Sequence, residues 1–248
     1  MKILINGIGG HMGREVAKLA QAGYRGAELA AGADVSAPTD LPVPCAADIR
    51  EADANVDCIV DFSHHACTNA LLEFAVSHHL PLVLATTGQT EEERAAIAAA
   101  AREIPLFFAA NYSLGIALLI ELAKKTAAAM PDAEIEIIEK HHDRKLDAPS
   151  GTALAIAEAI REVRPAATIH NGRSGQGKRT PEEIGIHAIR MGNIVGEHEV
   201  LVGTQNQTIS LKHEAHSRAL FAEGALAAAE FICGKPAGLY DMKSMIAF

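Results

Sequence analysis

The first thirteen residues constrain the fold more than any other stretch. Lys2-Ile3-Leu4-Ile5-Asn6 is a short apolar run that stops at Gly7-Ile8-Gly9-Gly10-His11-Met12-Gly13. Apolar residues at helical spacing (Met12, Val16, Leu19, Ala20) follow at once. The stretch reads as strand, glycine-rich turn, helix. Glycines let the backbone turn tightly and approach a pyrophosphate, and the helix start behind them offers unpaired N–H groups and a partial positive charge. The letters alone would also fit an ordinary glycine-rich βα turn. At the head of a βαβ unit they point to a dinucleotide site formed by Gly7, Ile8, Gly9, Gly10, His11 and Met12.

The pattern recurs. Stretches near Ala27–Ala31, Val56–Asp61, Leu82–Ala85 and Leu106–Ala109 read as further short strands, with helices over about Ala66–His79 and Glu91–Arg102. Strands alternating with helices imply a parallel sheet covered on both faces. After Asn111 the rhythm changes. A long helix is expected over Gly115–Met130, a strand over Glu134–His141, and a helix over Ser150–Val163 with Ser150 as its cap. A basic, glycine-rich segment at Arg173–Thr180 reads as a mobile loop. Three strands (Ile184–Arg190, Ile194–Gly203, Gln207–His213) and a last helix (Phe221–Cys233) complete the chain. The expected class is α/β. A Rossmann-type parallel-sheet domain covers residues 1–111 and is completed by 217–248; an inserted α+β domain with an open mixed sheet covers 112–216.

Composition narrows the functional classes. The 248 residues suffice for one large or two smaller domains. Hydrophobic residues at 49% and charged residues at 21% imply a packed core rather than disorder. With no Trp and 4% aromatics, Ala, Leu, Ile and Val must fill that core. A net charge of −9 argues against nucleic acid as a partner but leaves room for a local basic site. Cys45, Cys58, Cys67 and Cys233 show no CxxC spacing and read as free buried thiols in a reducing cytoplasm. No apolar run approaches the roughly 20 residues of a membrane span, and no signal peptide is seen. A cytoplasmic protein without a membrane partner is expected.

Asp34 lies 21 positions after Gly13, near the distance at which the second strand places its ribose-reading acid. A carboxylate there accepts hydrogen bonds from ribose hydroxyls and repels a 2′-phosphate. The next residue is Val35, so no adjacent cation offsets the repulsion, and NADH is favoured over NADPH. A solvated loop acid is the plain alternative.

The segment Glu139-Lys140-His141-His142-Asp143-Arg144-Lys145-Leu146-Asp147-Ala148-Pro149-Ser150-Gly151-Thr152-Ala153 gathers five potential cations ahead of a helix start. Ser150, Gly151 and Thr152 offer a hydroxyl cap and backbone N–H groups, which suit a carboxylate as they suit a phosphate. His141, His142 and Lys145 can close round the same anion, so a small dicarboxylate is the expected substrate class. Surface histidines on a charged loop are the alternative, and they are the reading given to His64-His65 and His78-His79. Adjacent histidines point apart in a strand and no third ligand stands at metal spacing, so no metal is expected.

Glu139–Ala153 resembles the signature E-x-H-H-x-x-K-x-D-x-P-S-G-T-A of the 4-hydroxy-tetrahydrodipicolinate reductase (dihydrodipicolinate reductase) family. Further blocks resemble that family in the same order: Gly7–Gly13, Asp61-Phe62-Ser63, Ala85-Thr86-Thr87-Gly88, Ala109-Ala110-Asn111-Tyr112-Ser113, Arg190-Met191-Gly192, Gly196-Glu197-His198, and His213–Arg218. The resemblance covers nearly the whole chain. Three departures stand out. His11 replaces a frequent Arg, Val35 replaces a cation frequent in NADPH-using members, and Ala85 replaces the first Gly of a G-T-T-G turn. The last still allows backbone contact if its φ is negative.

The resemblance implies NAD(P)H-dependent reduction of 4-hydroxy-tetrahydrodipicolinate to tetrahydrodipicolinate in the diaminopimelate and lysine pathway. It implies cofactor contacts from Ala85, Thr86, Thr87, Ala109, Ala110, Asn111 and Tyr112, besides the turn and Asp34. It makes His141 the proton donor and Lys145 its partner acid, with His142, Ser150, Gly151 and Thr152 holding substrate carboxylates. It also implies a homotetramer built through the inserted sheet. Junctions near Asn111 and Ser217 suggest a hinge. Two rivals remain. A semialdehyde or homoserine dehydrogenase shares the layout, but the semialdehyde enzyme needs a nucleophilic Cys, and the His–Lys cluster contains none. A nucleotide sensor without chemistry would not need the intact His–Lys–Ser-Gly-Thr set.

Overall fold

The computed structural model describes residues 1–246. Two β-sheets organise them. The first comprises β1 (Lys2–Asn6), β2 (Glu28–Ala33), β3 (Cys45–Ala46), β4 (Cys58–Asp61), β5 (Leu82–Leu84), β6 (Pro105–Phe108) and β12 (Gly238–Tyr240). Their order is β12-β6-β5-β4-β1-β2-β3, and every pairing is parallel. Ile3, Leu4, Ile5, Ile59, Val60, Leu82 and Val83 are fully buried, as expected of parallel strands covered on both faces. Helices α2 (Thr68–Ser77) and α3 (Glu91–Ala100) share one apolar cluster with these strands. Helices α1 (His11–Gln21) and α6 (Ala219–Ile232) pack against each other, and α6 also lies on β4, β5 and β6.

Local chemistry explains the helix starts. Thr90 and Glu93 form a reciprocal capping box at α3, with hydrogen bonds of 3.2 and 2.8 Å. Such a box satisfies two donors that the first helical turn would otherwise leave unpaired.

The second sheet comprises β7 (Glu134–His141), β8 (Thr168–Asn171), β9 (Glu183–Arg190), β10 (Gly196–Thr204) and β11 (Gln207–Ala215), in the order β11-β10-β7-β9-β8. It is mixed: β7, β9 and β8 run parallel, while β10 is antiparallel to both β7 and β11. β7 alternates strictly, burying Ile135, Ile137, Glu139 and His141. The two isoleucines join the core made with α4 (Leu114–Ala129) and α5 (Gly151–Arg161).

The chain divides into two compact units, Met1–Ser113 joined by the segment from Ala219 onward, and Leu114–Arg218. No helix among the described residues is long and apolar enough to cross a membrane. Three strands were not expected. β3, β8 and β12 have two, four and three residues, too short to show alternation, and exist because a longer neighbour offers an open edge. The segment read as a mobile loop is irregular but tethered: Glu183 accepts the Thr180 N–H and pairs with Arg173, and Arg179 reaches Glu136 at 2.8 Å. The four thiols are free, but Cys58 alone is fully buried; Cys45, Cys67 and Cys233 are half-exposed.

Candidate active site

In the first unit the strands' carboxyl ends converge on a groove of about 460 Å³, lined in part by Asn6, Gly7, Gly10, Asp34, Phe62 and Ser63. Gly7 has φ +79°, and a Cβ there would stand 2.7 Å from the backbone of Phe62 and Ser63. A Cβ at Gly13 would stand 2.1 Å from the Gly7 carbonyl oxygen. The turn therefore presses against both β4 and its own helix in a way no other residue allows. Gly10 caps α1 without a side-chain hydrogen bond, and no acidic residue occupies the first turn. A cradle of this kind fits a pyrophosphate at the helix start.

Asp34 follows β2. Its carboxylate accepts the Gly9 N–H at 2.9 Å and both the N–H (2.9 Å) and hydroxyl (2.7 Å) of Ser36. Partial burial pushes its pKa up, but these bonds and nearby Arg14 hold it below the ordinary carboxylate value. A cation thus does stand near Asp34. Sequence adjacency missed it because Arg14 comes from α1, where it is engaged with Asp40 at 2.7 and 3.1 Å. Val35 is 90% exposed at the groove's edge.

Other sequence-derived residues sort by where their atoms go. Ile8 is fully buried and abuts Gly32, and the Tyr112 hydroxyl donates to the Leu84 and Phe107 carbonyls. Only their backbones could serve a ligand. His11, Thr87 and Ala110 are exposed, Met12, Ala85, Ala109 and Asn111 half-buried. Asn111 Oδ1 accepts the Ser113 N–H, and Ala85 keeps a negative φ. Thr86 donates at 2.6 Å to Asp61, which also accepts from Asn6 (2.8 Å) and the Ser63 hydroxyl (2.6 Å). Asp61 thereby ties together the ends of β1, β4 and β5, and burial raises its pKa against those three hydrogen bonds. His64 is exposed, as expected of a surface histidine; it also lines the groove, stacks on His65 at 4.3 Å, and accepts the Ala66 N–H.

The second unit holds a polar constellation at the end of β7. Glu139 is fully buried. Its Oε2 accepts from His141 Nδ1 at 2.6 Å, Arg190 reaches both oxygens at 2.8 Å, and Oε1 accepts the Ser150 N–H at 3.0 Å. Burial alone would raise the Glu139 pKa; Arg190, His141 and Ser150 lower it below the ordinary value. Ser150 caps α5 by accepting the Ala153 N–H at 3.2 Å, and its hydroxyl lies 3.0 Å from His198 Nε2. His198 sits edge-on to His141 at 5.2 Å, and burial followed by the His141 charge pushes its pKa down to about 4. It is neutral near pH 7, so its Nε2 can accept a hydrogen bond from the Ser150 hydroxyl.

His141 is pushed below the ordinary histidine value by burial; Glu139 opposes this, and Lys145 and Arg190 reinforce it. Lys145 pairs with Asp147 at 2.8 Å, and the Gly151 N–H stands close enough to help hold the Asp147 pKa below its ordinary value. An internal carboxylate thus pairs with Lys145 and stands beside the helix start expected to hold a substrate carboxylate. His142 Nδ1 is buried with no hydrogen-bond partner among the described residues. The fold therefore brings together His141, Lys145, Ser150 and Gly151. Sequence reasoning did not assign Glu139, Arg190 or His198, although all three stand in the blocks it quoted. The signal for Glu139 was an acid at an inward position of an alternating strand. Among the described residues no cluster of three or more His, Cys, Asp or Glu is placed to hold a metal.

Comparison with known proteins follows the same division. Residues 1–112 match the family model "Dihydrodipicolinate reductase, N-terminus", and residues 115–246 match "Dihydrodipicolinate reductase, C-terminus". The chain belongs to the dihydrodipicolinate reductase family. Within this family of oxidoreductases it is 43% identical over 249 residues to the 4-hydroxy-tetrahydrodipicolinate reductase of Caldanaerobacter subterraneus subsp. tengcongensis, covering 99% of this chain and 98% of that one. It is 44% identical over 245 residues to the reductase of the same name from Exiguobacterium sp., covering 99% and 95%. The dipicolinate-bound dihydrodipicolinate reductase from Paenisporosarcina sp. TG-14 superposes with a TM-score of 0.83 at 26% identity, covering 100% of this chain and 99% of that one.

Proposed function

We propose that the protein reduces 4-hydroxy-tetrahydrodipicolinate, with one nicotinamide nucleotide and one proton consumed, to tetrahydrodipicolinate and water, in diaminopimelate and lysine biosynthesis. The observation that carries this reading is the convergence of His141, Lys145 and the α5 start. Its chemistry suits a doubly negative substrate that gains further charge on hydride addition.

A bound nicotinamide nucleotide supplies the hydride. The turn from Gly7 to Met12 would hold its pyrophosphate and Asp34 its adenosine ribose, with Ala85–Thr87 and Ala109–Tyr112 along the same sheet edge. Asp34 repels a 2′-phosphate, and Arg14 is committed to Asp40, so NADH is the better reductant. His142 and the Gly151 and Thr152 backbone hold the substrate carboxylates beside the Ser150 cap. Lys145, once released from Asp147, faces the substrate as the partner acid of His141, and His141 gives the proton to the ring carbon. A dianion bound beside His141 raises its pKa from the depressed free-state value, which favours the protonated donor. The face of the second sheet turned away from α4 and α5, where Ile189 is 40% exposed, would build a homotetramer, testable by sedimentation.

The decisive experiment follows nucleotide oxidation that depends on freshly generated 4-hydroxy-tetrahydrodipicolinate, with NADH and NADPH compared by kcat/KM. The wild-type protein should turn over with a ratio above one for NADH. Lys145→Ala should lose about 100-fold in turnover, the usual scale for an acid–base group. No substrate-dependent oxidation by the wild type, or a fully active Lys145→Ala, refutes the assignment.

A further inference from the structure

The buried carboxylate behind His141 has a consequence for which ring nitrogen can work. Glu139 lies on β7 and is fully excluded from solvent, yet it remains an anion because four donors converge on it: His141 Nδ1, two Arg190 nitrogens and the Ser150 N–H. Such satisfaction is what an enclosed charge requires. At 2.6 Å, the contact with His141 needs a proton between oxygen and Nδ1, since Glu139 as an anion can only accept. The neutral imidazole therefore carries its proton on Nδ1 and leaves Nε2 bare. Among the described residues Nε2 makes no hydrogen bond, and β10 presents Gly196 opposite it, where a Cβ would stand 3.2 Å away.

We propose that Glu139, clamped by Arg190 and the Ser150 N–H, is a positioning residue that fixes His141 in the Nδ1–H tautomer and so reserves Nε2 as the atom through which the proton passes to substrate. The same carboxylate joins His141 to the first residue of the α5 start. The donor and the carboxylate receptor are thus held in one frame. The inference rests on the donor role proposed for His141 and adds the atom and the residue that selects it. The charged and titratable groups facing His141 are Glu139 on β7, Arg190 on β9, His198 on β10 and Lys145 in the β7–α5 connection. Of these Glu139 alone holds a ring nitrogen.

Glu139→Gln makes the proposal testable. An amide must place its NH2 either toward Ser150 N–H and one Arg190 nitrogen or toward His141 and the other Arg190 nitrogen. The first choice opposes two donors, the second one, so the amide nitrogen turns to His141. Nδ1 must then accept, and the neutral ring proton moves to Nε2. Nitrogen-15 spectra of the full-length protein above the His141 pKa should show the Nδ1–H form in the wild type and the Nε2–H form in Glu139→Gln. The variant should lose about 10- to 100-fold in kcat/KM, the scale for partners that orient a functional imidazole. Its pH–rate profile should move to lower pH because the charge that raises the His141 pKa is gone, while nucleotide affinity stays unchanged. An Nε2–H tautomer in the wild type overturns the proposal, even if the variant does not fold. So does a Glu139→Gln protein with an unaltered tautomer and pH profile. Wild-type turnover by His141→Asn would instead remove the donor reading itself, which separates the two failures.

Discussion

Asp147→Asn should tighten the binding of a small dicarboxylate. The Asp147 carboxylate pairs with Lys145 Nζ at 2.8 Å and faces the Gly151 N–H at the start of α5, so an incoming carboxylate must displace it. The cost of displacement follows from exposure. The Asp147 side chain is 56% exposed and that of Lys145 23%. An ion pair this wet contributes about 0.2–1 kcal/mol, and an anion at a helix start contributes about 0.3–1 kcal/mol. Together they set a competition of about 0.5–2 kcal/mol, or roughly a 2- to 30-fold change in Kd. Asparagine keeps an oxygen for the Gly151 N–H but surrenders the charge, so α5 retains its start. Isothermal titration with pyridine-2,6-dicarboxylate should show the tighter Kd, with a gain that shrinks as salt rises because the competing pair is screened. An unchanged Kd would mean that the internal carboxylate does not compete. A weaker one would mean that it assists the ligand.

Two further outcomes follow. Gly7→Ala forces a side chain into a φ of +79° and places its Cβ 2.7 Å from the Phe62 and Ser63 backbone; we expect a loss of about 1–3 kcal/mol in stability and of NADH binding measured by fluorescence, and normal values for both would refute the close-approach argument. His198 titrates at about 4 in the fold against an ordinary 6.5, so between these values the unfolded chain takes up a proton that the folded one refuses. Stability is therefore retained above about pH 6.5 and lost as pH falls below it, at up to about 1.4 kcal/mol per pH unit. Urea midpoints measured from about pH 7 to about pH 5 should drop for the wild type and less for His198→Gln; a flat wild-type response would show that His198 protonates without penalty.

Much of this arrangement was legible in the sequence. The glycine turn and the Ser-Gly-Thr helix start are local chemistry, written in adjacent residues and read without tertiary knowledge. Glu139 was harder, because an acid at an inward strand position looks like a charge until Arg190, fifty-one positions later, is seen to cover it. Arg14 was missed for a similar reason: it approaches Asp34 from a neighbouring element rather than from the next residue. His64 is on the surface, as its place in a histidine pair suggests, but the pair carries no signal of the groove that it also lines. β3, β8 and β12 are created by the free edge of a longer strand, and no periodicity in two to four residues could announce them.

The route of the chain also sets an order of assembly. Leu114–Arg218 is contiguous, whereas the seven-stranded sheet takes its last strand and the helix α6 from beyond residue 218. During synthesis the later-coded unit can finish first, because all its parts leave the ribosome together. The nucleotide-binding half must wait with β6 unpaired on one side and the apolar surface of β4, β5 and β6 uncovered. That interval exposes a sticky strand edge. Truncations near the carboxyl end should therefore reduce the yield of soluble protein before they touch any residue of the reaction.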